Sequence, residues 1–146
     1  MSKRFDFPIP TGWFGLCFSK DLAVGEVKPV RAFARELVAF RTSDGQAHVL
    51  DAHCPHLGAH LGHGGCLDND RLVCPFHAWK FDGSGKCVDV PYAQKIPPKG
   101  NLGSWPVHEL NGKIMVWNTT SWTHERTLEG HANCVDSLVM FGDKLI

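Results

Sequence analysis

Residues 54–60 read Cys-Pro-His-Leu-Gly-Ala-His, and residues 74–83 read Cys-Pro-Phe-His-Ala-Trp-Lys-Phe-Asp-Gly. Each stretch opens with a cysteine and reaches a histidine two or three residues later. A proline inside each pair fixes the backbone φ and removes an amide donor, which suits a tight loop around a ligand. The pattern predicts two matching loops that hold metal. Their candidate ligands are Cys54 with His56 and Cys74 with His77.

The ligand types indicate an iron–sulfur cluster of two irons and two sulfides. Thiolate suits such clusters, and imidazole also binds iron. One known variety takes two cysteines on one iron and two histidines on the other. On that scheme Cys54 and Cys74 hold one iron. His56 and His77 hold the second iron.

A structural zinc site is the alternative, because two cysteines and two histidines also bind zinc in a tetrahedron. Zinc fingers usually pair cysteine with cysteine and histidine with histidine. The mixed pairs of this chain fit that spacing poorly. We therefore predict a 2Fe-2S cluster and keep the zinc site as the competing hypothesis.

The two motifs resemble the cluster-binding loops of Rieske domains, most closely the N-terminal domains of Rieske non-haem iron oxygenases. The similarity runs from residues 54–60 through Gly64-Gly65 to residues 74–83. Residues 85–98, Gly-Lys-Cys-Val-Asp-Val-Pro-Tyr-Ala-Gln-Lys-Ile-Pro-Pro, narrow it to the sterol-acting branch, the ketosteroid 9α-hydroxylases and cholesterol 7-desaturases. The resemblance covers about residues 8–118. It implies a Rieske fold of antiparallel sheets, with a small cluster-binding subdomain formed by two loops.

Short strands and regular turn signals predict an all-β domain. Ser43-Asp44-Gly45 and residues 82–85 are hairpin turn signals, and no helical period appears before residue 118. Leu37-Val38-Ala39-Phe40 has the composition of a buried strand. The predicted strands are Trp13–Ser19, Val27–Phe33, Glu36–Thr42, Ala47–Asp51, Arg71–Cys74, Trp79–Phe81, Trp105–Leu110 and Lys113–Asn118.

Three residues in or near the motifs are not among the candidate ligands. Trp79 is expected to cover the cluster as an apolar lid, with ordinary core packing as the alternative. His60 and His63 lie in the loop that begins at the first pair of candidate ligands, but the cluster already has four ligands. We expect both to be ordinary loop residues that face solvent.

The resemblance also implies a low reduction potential. High-potential Rieske proteins of cytochrome bc complexes have a cysteine in each loop that joins in a disulfide, where this chain has Ala59 and Phe76. They also have a serine after the second histidine, where this chain has Ala78-Trp79. Without that serine the cluster sulfur accepts fewer hydrogen bonds than in the high-potential proteins, and the reduced, more negative cluster is less stabilised. We therefore expect a reduction potential near the low end of the Rieske range, about −150 mV.

A Rieske oxygenase also needs a mononuclear iron bound by two histidines and a carboxylate. In the family this triad follows a D/N-x-x-H-x-x-x-x-H pattern, which His124, His131 and Asp136 do not match. No catalytic residue is therefore predicted in this chain. The expected function is an electron-transfer module of a sterol-related oxygenase or desaturase that lacks its own mononuclear-iron domain. Its expected partners are a flavin- and NAD(P)H-dependent reductase and a separate catalytic iron protein.

Residues 119–146 depart from the Rieske pattern, so we divide the chain into a Rieske domain of residues 1–118 and a tail of residues 119–146. Gly130-His131 matches the Gly-His of a WD-repeat blade, but one partial blade cannot close a propeller. The alternative is one extra strand at Val135–Phe141, whose open edge favours self-association. The alternative function is a non-redox scaffold or zinc-binding interaction module, which would keep the Rieske fold and bind through zinc or through the WD-like tail.

The composition excludes other classes of protein. Fifteen Lys and Arg balance fifteen Asp and Glu, which gives no reason to expect binding to nucleic acid or to a charged membrane surface. No apolar run approaches the roughly 18 residues of a membrane span. Met1–Pro10 does not have the pattern of a signal peptide. We therefore expect a reducing, cytoplasmic setting. The remaining cysteines are then free thiols: Cys17, Cys66, Cys87 and Cys134.

Overall fold

The computed structural model describes residues 11–118, 140–141 and 144–145, and these residues form short strands joined by turns. One 3₁₀ turn, Ser19–Asp21, is the only helical element among them. The all-β prediction is confirmed. The strands are β1 (Gly12–Phe18), β2 (Val27–Ala32), β3 (Arg35–Arg41), β4 (Ala47–Asp51), β5 (Cys66–Asp68), β6 (Arg71–Val73), β7 (Lys80–Phe81), β8 (Cys87–Asp89), β9 (Ser104–Trp105), β10 (Val107–Leu110), β11 (Lys113–Asn118), β12 (Met140–Phe141) and β13 (Lys144–Leu145).

All strand pairs are antiparallel, and the described strands form four sheets. The first has the order β1-β11-β10, the second β2-β3-β4-β9 and the third β5-β6-β7-β8. Strands β12 and β13 pair only with each other. The third sheet and the loops beside it correspond to the small cluster-binding subdomain that the resemblance implies. Its strands β5 and β8 were not predicted from the sequence.

The second sheet separates two hydrophobic cores. Successive side chains of a strand point to opposite faces, and β3 is buried on both. Val38 and Phe40 pack into the core that contains the two motif cysteines. Leu37 and Ala39 pack on the other side, against the strand β11. This confirms that residues 37–40 form a buried strand, and it fixes the motif loops to one face of the central sheet.

Two hairpin turns lie where the sequence predicts them. Gly45 and Gly85 have φ of +84° and +81°, and the amide of each donates to the carbonyl three residues earlier, Thr42 and Asp82. Glycine suits this left-handed position because it has no Cβ. The turn signals were therefore read correctly at both positions.

The turn between β2 and β3 is less regular than expected. It falls at Phe33 and Ala34, with φ of +54° and +56°, so Phe33 belongs to the turn and not to the predicted strand Val27–Phe33. Positive φ is rare for a bulky side chain. Phe33 stacks on Trp105 with ring centroids 5.3 Å apart and meets Phe14 edge-on at 5.1 Å. This aromatic packing offsets the backbone cost of the turn.

The predicted strand Trp105–Leu110 was wrong as a single element. Ser104–Trp105 pairs with β4 in the second sheet, whereas Val107–Leu110 pairs with β11 in the first. Pro106 lies between them and has no amide hydrogen to donate to a ladder. The chain therefore changes sheet at the proline. Strands β10 and β11 form a hairpin closed at Asn111-Gly112, where both residues have positive φ.

A buried arginine joins the first two sheets. Arg41, at the end of β3, is 9% exposed and forms a two-pronged ion pair with Glu109 on β10, at 2.6 and 3.0 Å. It also donates to the carbonyl oxygens of Leu22, Gly45 and Ser19. The hydrogen bond from Arg41 lowers the pKa of Glu109. A buried charge requires such full pairing.

Several expectations concern cysteines, membranes and the tail. The described cysteines are free thiols, including Cys17, Cys66 and Cys87, while Cys134 lies outside the described residues. Within the described ranges, no helix has the length and apolar character needed to cross a membrane. The predictions for His124, His131 and Asp136 lie outside the described residues.

Candidate metal centre

Two loops with the same backbone hydrogen bonds carry the four candidate ligands. In the first ligand loop (Cys54–Ala59), the amide of Cys54 donates to the Ala59 carbonyl at 2.9 Å. In the second ligand loop (Cys74–Trp79), the amide of Cys74 donates to the Trp79 carbonyl at 2.8 Å. The fifth residue of each loop adopts positive φ and donates to the carbonyl of the cysteine. These residues are Gly58 (φ +76°, 2.8 Å) and Ala78 (φ +57°, 3.1 Å).

The sheets hold both loops in place. The first ligand loop follows β4, and Leu61 beyond it donates an amide hydrogen to the Ala52 carbonyl at 2.7 Å. The second ligand loop connects β6 to β7, which pair with each other. Backbone hydrogen bonds therefore close each loop where it joins the sheets, and they hold in place the backbone that carries the candidate ligands.

The two motif cysteines lie together in the apolar core. Cys54 and Cys74 are each 3% exposed, and their thiols are within hydrogen-bonding distance of each other. Burial, together with the neighbouring Cys74, raises the pKa of Cys54 to about 11. Without metal the Cys54 thiol stays protonated at neutral pH, and metal ligation must displace that proton.

The two motif histidines lie side by side at the outer end of the loops. The ring centroids of His56 and His77 are 4.7 Å apart, with planes inclined by 71°, and both residues are half-buried. The Nδ1 atom of His77 is buried and has no hydrogen-bond partner. A buried polar atom without a partner is costly, and coordination to a metal would satisfy it.

The arrangement fits a two-iron cluster. The donors come in two like pairs, two buried thiols and two adjacent imidazoles, which is the division that a mixed-ligand 2Fe-2S cluster needs. In the part of the chain that the structure describes, no three His, Cys, Asp or Glu side chains converge on the position of a single ion. Two protein ligands for each of two irons do not require such convergence.

Two aromatic residues enclose the histidines. Trp79 is 5% exposed, and its ring lies parallel to that of His56 with centroids 5.0 Å apart. Its indole N–H donates to the Tyr92 hydroxyl at 2.6 Å. Trp79 therefore belongs to the core and covers His56, so the two predicted roles coexist. The sequence analysis did not identify Tyr92 as a neighbour of the site. Its position in the Pro-rich stretch after β8 was the one feature that could have drawn attention to it.

His60 and His63 lie beside the site rather than in it. Their ring centroids are 4.3 Å apart, and His60 also meets His53 at 5.1 Å. His63 is exposed as expected, whereas His60 is half-buried and forms an isolated β-bridge with His53. Burial lowers the pKa of His60, and the neighbouring His63 and His53 lower it further. His53 also contacts Glu36, with Nε2 and Oε2 3.2 Å apart.

Two glycines between the motifs lie against other backbone segments, where a side chain would not fit. A Cβ on Gly62 would lie 2.7 Å from the backbone of Pro29, and one on Gly65 would overlap the Leu61 carbonyl oxygen. These two glycines allow segments of chain to pass close together.

A family model described as "Rieske [2Fe-2S] domain" matches residues 12–106. The chain belongs to the Rieske [2Fe-2S] domain family. Membership implies a 2Fe-2S cluster and confirms the predicted cofactor. The match ends before the tail, and nothing supports the resemblance of residues 119–146 to a WD-repeat blade.

Curated relatives of this Rieske domain act in sterol chemistry according to their names. Cholesterol 7-desaturase nvd 1 of Ciona intestinalis is 42% identical and covers 85% of this chain and 30% of its own length. The probable 3-ketosteroid-9-alpha-monooxygenase, oxygenase component, of Rhodococcus rhodochrous is 42% identical over 73% of this chain and 27% of its own length. The Rieske domain chain thus spans about three tenths of the length of these relatives.

Solved structures of Rieske oxygenases have the same fold. Dicamba monooxygenase bound to dicamba superposes with a TM-score of 0.69 at 32% identity, covering 72% of this chain and 31% of that chain. The Pseudomonas putida CBB5 protein NdmA with caffeine superposes with a TM-score of 0.67 at 26% identity, covering 72% and 32% of the two chains. The predicted Rieske fold of antiparallel sheets is confirmed.

Proposed function

We propose that this chain is the electron-transfer module of an oxygenase or desaturase system that acts on sterols. Membership of the Rieske family and similarity to the named sterol enzymes support the proposal. When bound, a 2Fe-2S cluster supplies a centre that accepts and releases one electron. The protein surrounds the cluster, orients its ligands and limits the access of water.

Cys54 and Cys74 hold one iron in this proposal, and His56 and His77 hold the other. The observation that carries it is the unpartnered, buried Nδ1 of His77, which lies beside the ring of His56. The two thiols lie deeper, in the apolar core. Zinc binding or a scaffold role has no comparable support, because the family matched is an iron–sulfur family.

Electrons enter and leave the module on the histidine side. The cysteines are buried, whereas both histidines are half-buried and have exposed neighbours, Leu57 and Phe76. This is the side where a partner centre can come closest to the cluster. The expected donor is a reductase that uses flavin and NAD(P)H, and the acceptor is a mononuclear catalytic iron supplied outside the described residues.

The tail is separate from this function. We propose that residues 1–118 contain everything the cluster needs, because the four ligands and the three larger sheets all lie before residue 119. Residues 119–146 contribute self-association instead. A chain shortened after residue 118 should keep full iron content and change its oligomeric state. Loss of iron from the shortened chain would contradict the division.

Metal analysis of the anaerobically purified full chain tests the proposal. We expect about two irons and two sulfides per chain, with the visible absorption and low average g-value of a mixed cysteine and histidine cluster. Rapid one-electron reduction by a flavin-dependent reductase should follow. Stoichiometric zinc in a colourless protein would overturn the proposal and favour the scaffold function.

A further inference from the structure

The first sheet has an apolar outer face, on the side away from the hydrophobic core, and we propose that this face binds the C-terminal segment of the same chain, residues 119–146. The inference goes beyond the proposed function, because the face carries none of the candidate ligands. It gives the segment a binding surface within the molecule, in addition to its proposed part in self-association.

The strand register identifies the residues of this outer face. Ile114 and Val116 of β11 point into a hydrophobic core, so the alternate residues of that strand point outward. Residues paired directly across neighbouring strands lie on the same side of a sheet. The outer face therefore consists of Trp13, Gly15 and Phe18 on β1, Lys113, Met115 and Trp117 on β11, and His108 and Leu110 on β10.

Apolar side chains dominate the outer face. The rings of Trp13 and Trp117 meet edge-on with their centroids 5.3 Å apart. Phe18 and Leu110, at the other end of the face, are 52% and 39% exposed. A continuous apolar surface of this kind is typical of a site that binds another segment or another protein.

The burial of Met115 indicates that part of the face is already covered. Met115 lies in the middle of the outer face and is 5% exposed, although it belongs to neither of the two hydrophobic cores. Its partner on β1 is Gly15, which has no side chain to cover it. The exposed Phe18 shows that this cover does not extend over the whole described face.

The path of the chain places residues 119–146 at this sheet. β11 ends at Asn118, which pairs with Gly12 at the beginning of β1, so the segment starts from the sheet itself. Further along the chain, β12 contacts β1. Residues 119–139 can extend over about 70 Å, whereas β11 is about 20 Å long. The segment is therefore long enough to cross the outer face between these two points.

The composition of the segment fits this face. It contains the apolar run Leu138-Val139-Met140-Phe141. The outer face carries Lys113 and His108 but no acidic side chain. Acidic residues of the segment outnumber its basic ones, with Glu125, Glu129, Asp136 and Asp143 against Arg126 and Lys144. The charges of segment and face are therefore complementary.

Photo-cross-linking of the full-length holoprotein tests the inference. The photoreactive residue p-benzoyl-phenylalanine at position 18, or at position 13 in a second variant, should cross-link to peptides of residues 119–146. The same probe at position 76 is the matched control, because Phe76 is an equally exposed aromatic residue in the second ligand loop. It should give no such peptide.

Mass spectrometry of a mixture of unlabelled and isotope-labelled chains separates cross-links within one chain from those between chains. Cross-links within the chain from position 13 or 18 would support the inference. Cross-links only between chains would identify a second copy as the occupant and overturn it. Absence of cross-links to residues 119–146 from both positions would overturn it as well. These outcomes do not depend on iron, so they are distinct from failure of the proposed function.

Two single variants in β12 make the test more specific. Met140→Asp and Phe141→Asp place a carboxylate on opposite faces of the strand, because successive side chains alternate. At least one of them should lower the yield of the cross-link within the chain several-fold. Iron content should stay that of the parent in both, since the candidate ligands lie on the other side of the second sheet. Unchanged yields in both variants would contradict binding through β12.

Discussion

The two ligand loops share one backbone frame but differ in the side chains that they place on it. Both are closed by an amide hydrogen bond from the cysteine to the carbonyl five residues later, at 2.9 and 2.8 Å. The first has glycine at its left-handed position and ends at half-buried Ala59. The second has Ala78 at that position and ends at buried Trp79. Its histidine also comes one residue later.

Both loops can therefore provide metal ligands, but only the second loop also covers a candidate ligand with a large side chain. The shared hydrogen bonds present one cysteine from each loop to the interior, which is the task the loops have in common. Only the second loop supplies the large ring that stacks on His56. It tolerates positive φ at Ala78, where a residue with a Cβ carries a cost of roughly 1–2 kcal/mol. The packing of the neighbouring Trp79 offsets that strain.

The largest expected effect tests what the loops share. His56→Ala and His77→Ala should each reduce iron and sulfide from about two per chain to near zero, because one iron loses a ligand. Metal analysis and visible absorption measure the loss. His60→Ala is the control, since His60 lies just beyond the first loop, and it should retain the cluster. A cluster that survives in only one of the two histidine variants would show that the loops do not contribute equally.

The next effect tests how the loops end. Trp79→Ala should lower the free energy of unfolding of the metal-free protein by about 3–5 kcal/mol, because it empties a large buried site. Ala59→Gly, at the matching place in the first loop, should cost only about 0.5–1 kcal/mol through backbone entropy. Urea unfolding compares the two. Equal losses would mean that Trp79 does not support the core.

A smaller effect tests the left-handed position of the first loop. Gly58→Ala should cost about 1–2 kcal/mol, the backbone price of positive φ. No atom lies within 4 Å of the added Cβ, so no steric term is expected. Gly45→Ala is a matched control, because Gly45 has φ of +84° and is equally open. Denaturant unfolding should give similar losses for both, and a much larger loss at Gly58 would reveal a contact specific to the ligand loop.

The smallest effect is the reverse change in the second loop. Ala78→Gly should raise the free energy of unfolding by under about 1 kcal/mol, since relief of positive φ exceeds the added entropy of the unfolded chain. Ala78 is exposed, so its methyl group contributes little packing. Thermal unfolding with unchanged iron content measures the gain. A loss of stability would show that the methyl group supports the loop.

Local sequence predicted the candidate ligands, the turns and the fold class. Cys54, His56, Cys74 and His77 stand out by residue type and spacing alone, because metal chemistry restricts both. The turns at Gly45 and Gly85 could also be predicted from the sequence, since a left-handed backbone conformation favours glycine. The buried strand of residues 37–40 followed from its continuous apolar run.

Contacts between distant segments were decided only by the tertiary structure. Arg41 pairs with Glu109, 68 residues away, and Tyr92 reaches His56 across 36 residues. No periodicity or motif links such positions. The positive φ of Phe33 depends in the same way on the ring of Trp105. The sequence by itself determined which chemistry the loops can hold, because that depends on a few neighbouring residues. Folding decided which groups surround that chemistry, because their positions depend on how the three larger sheets pack.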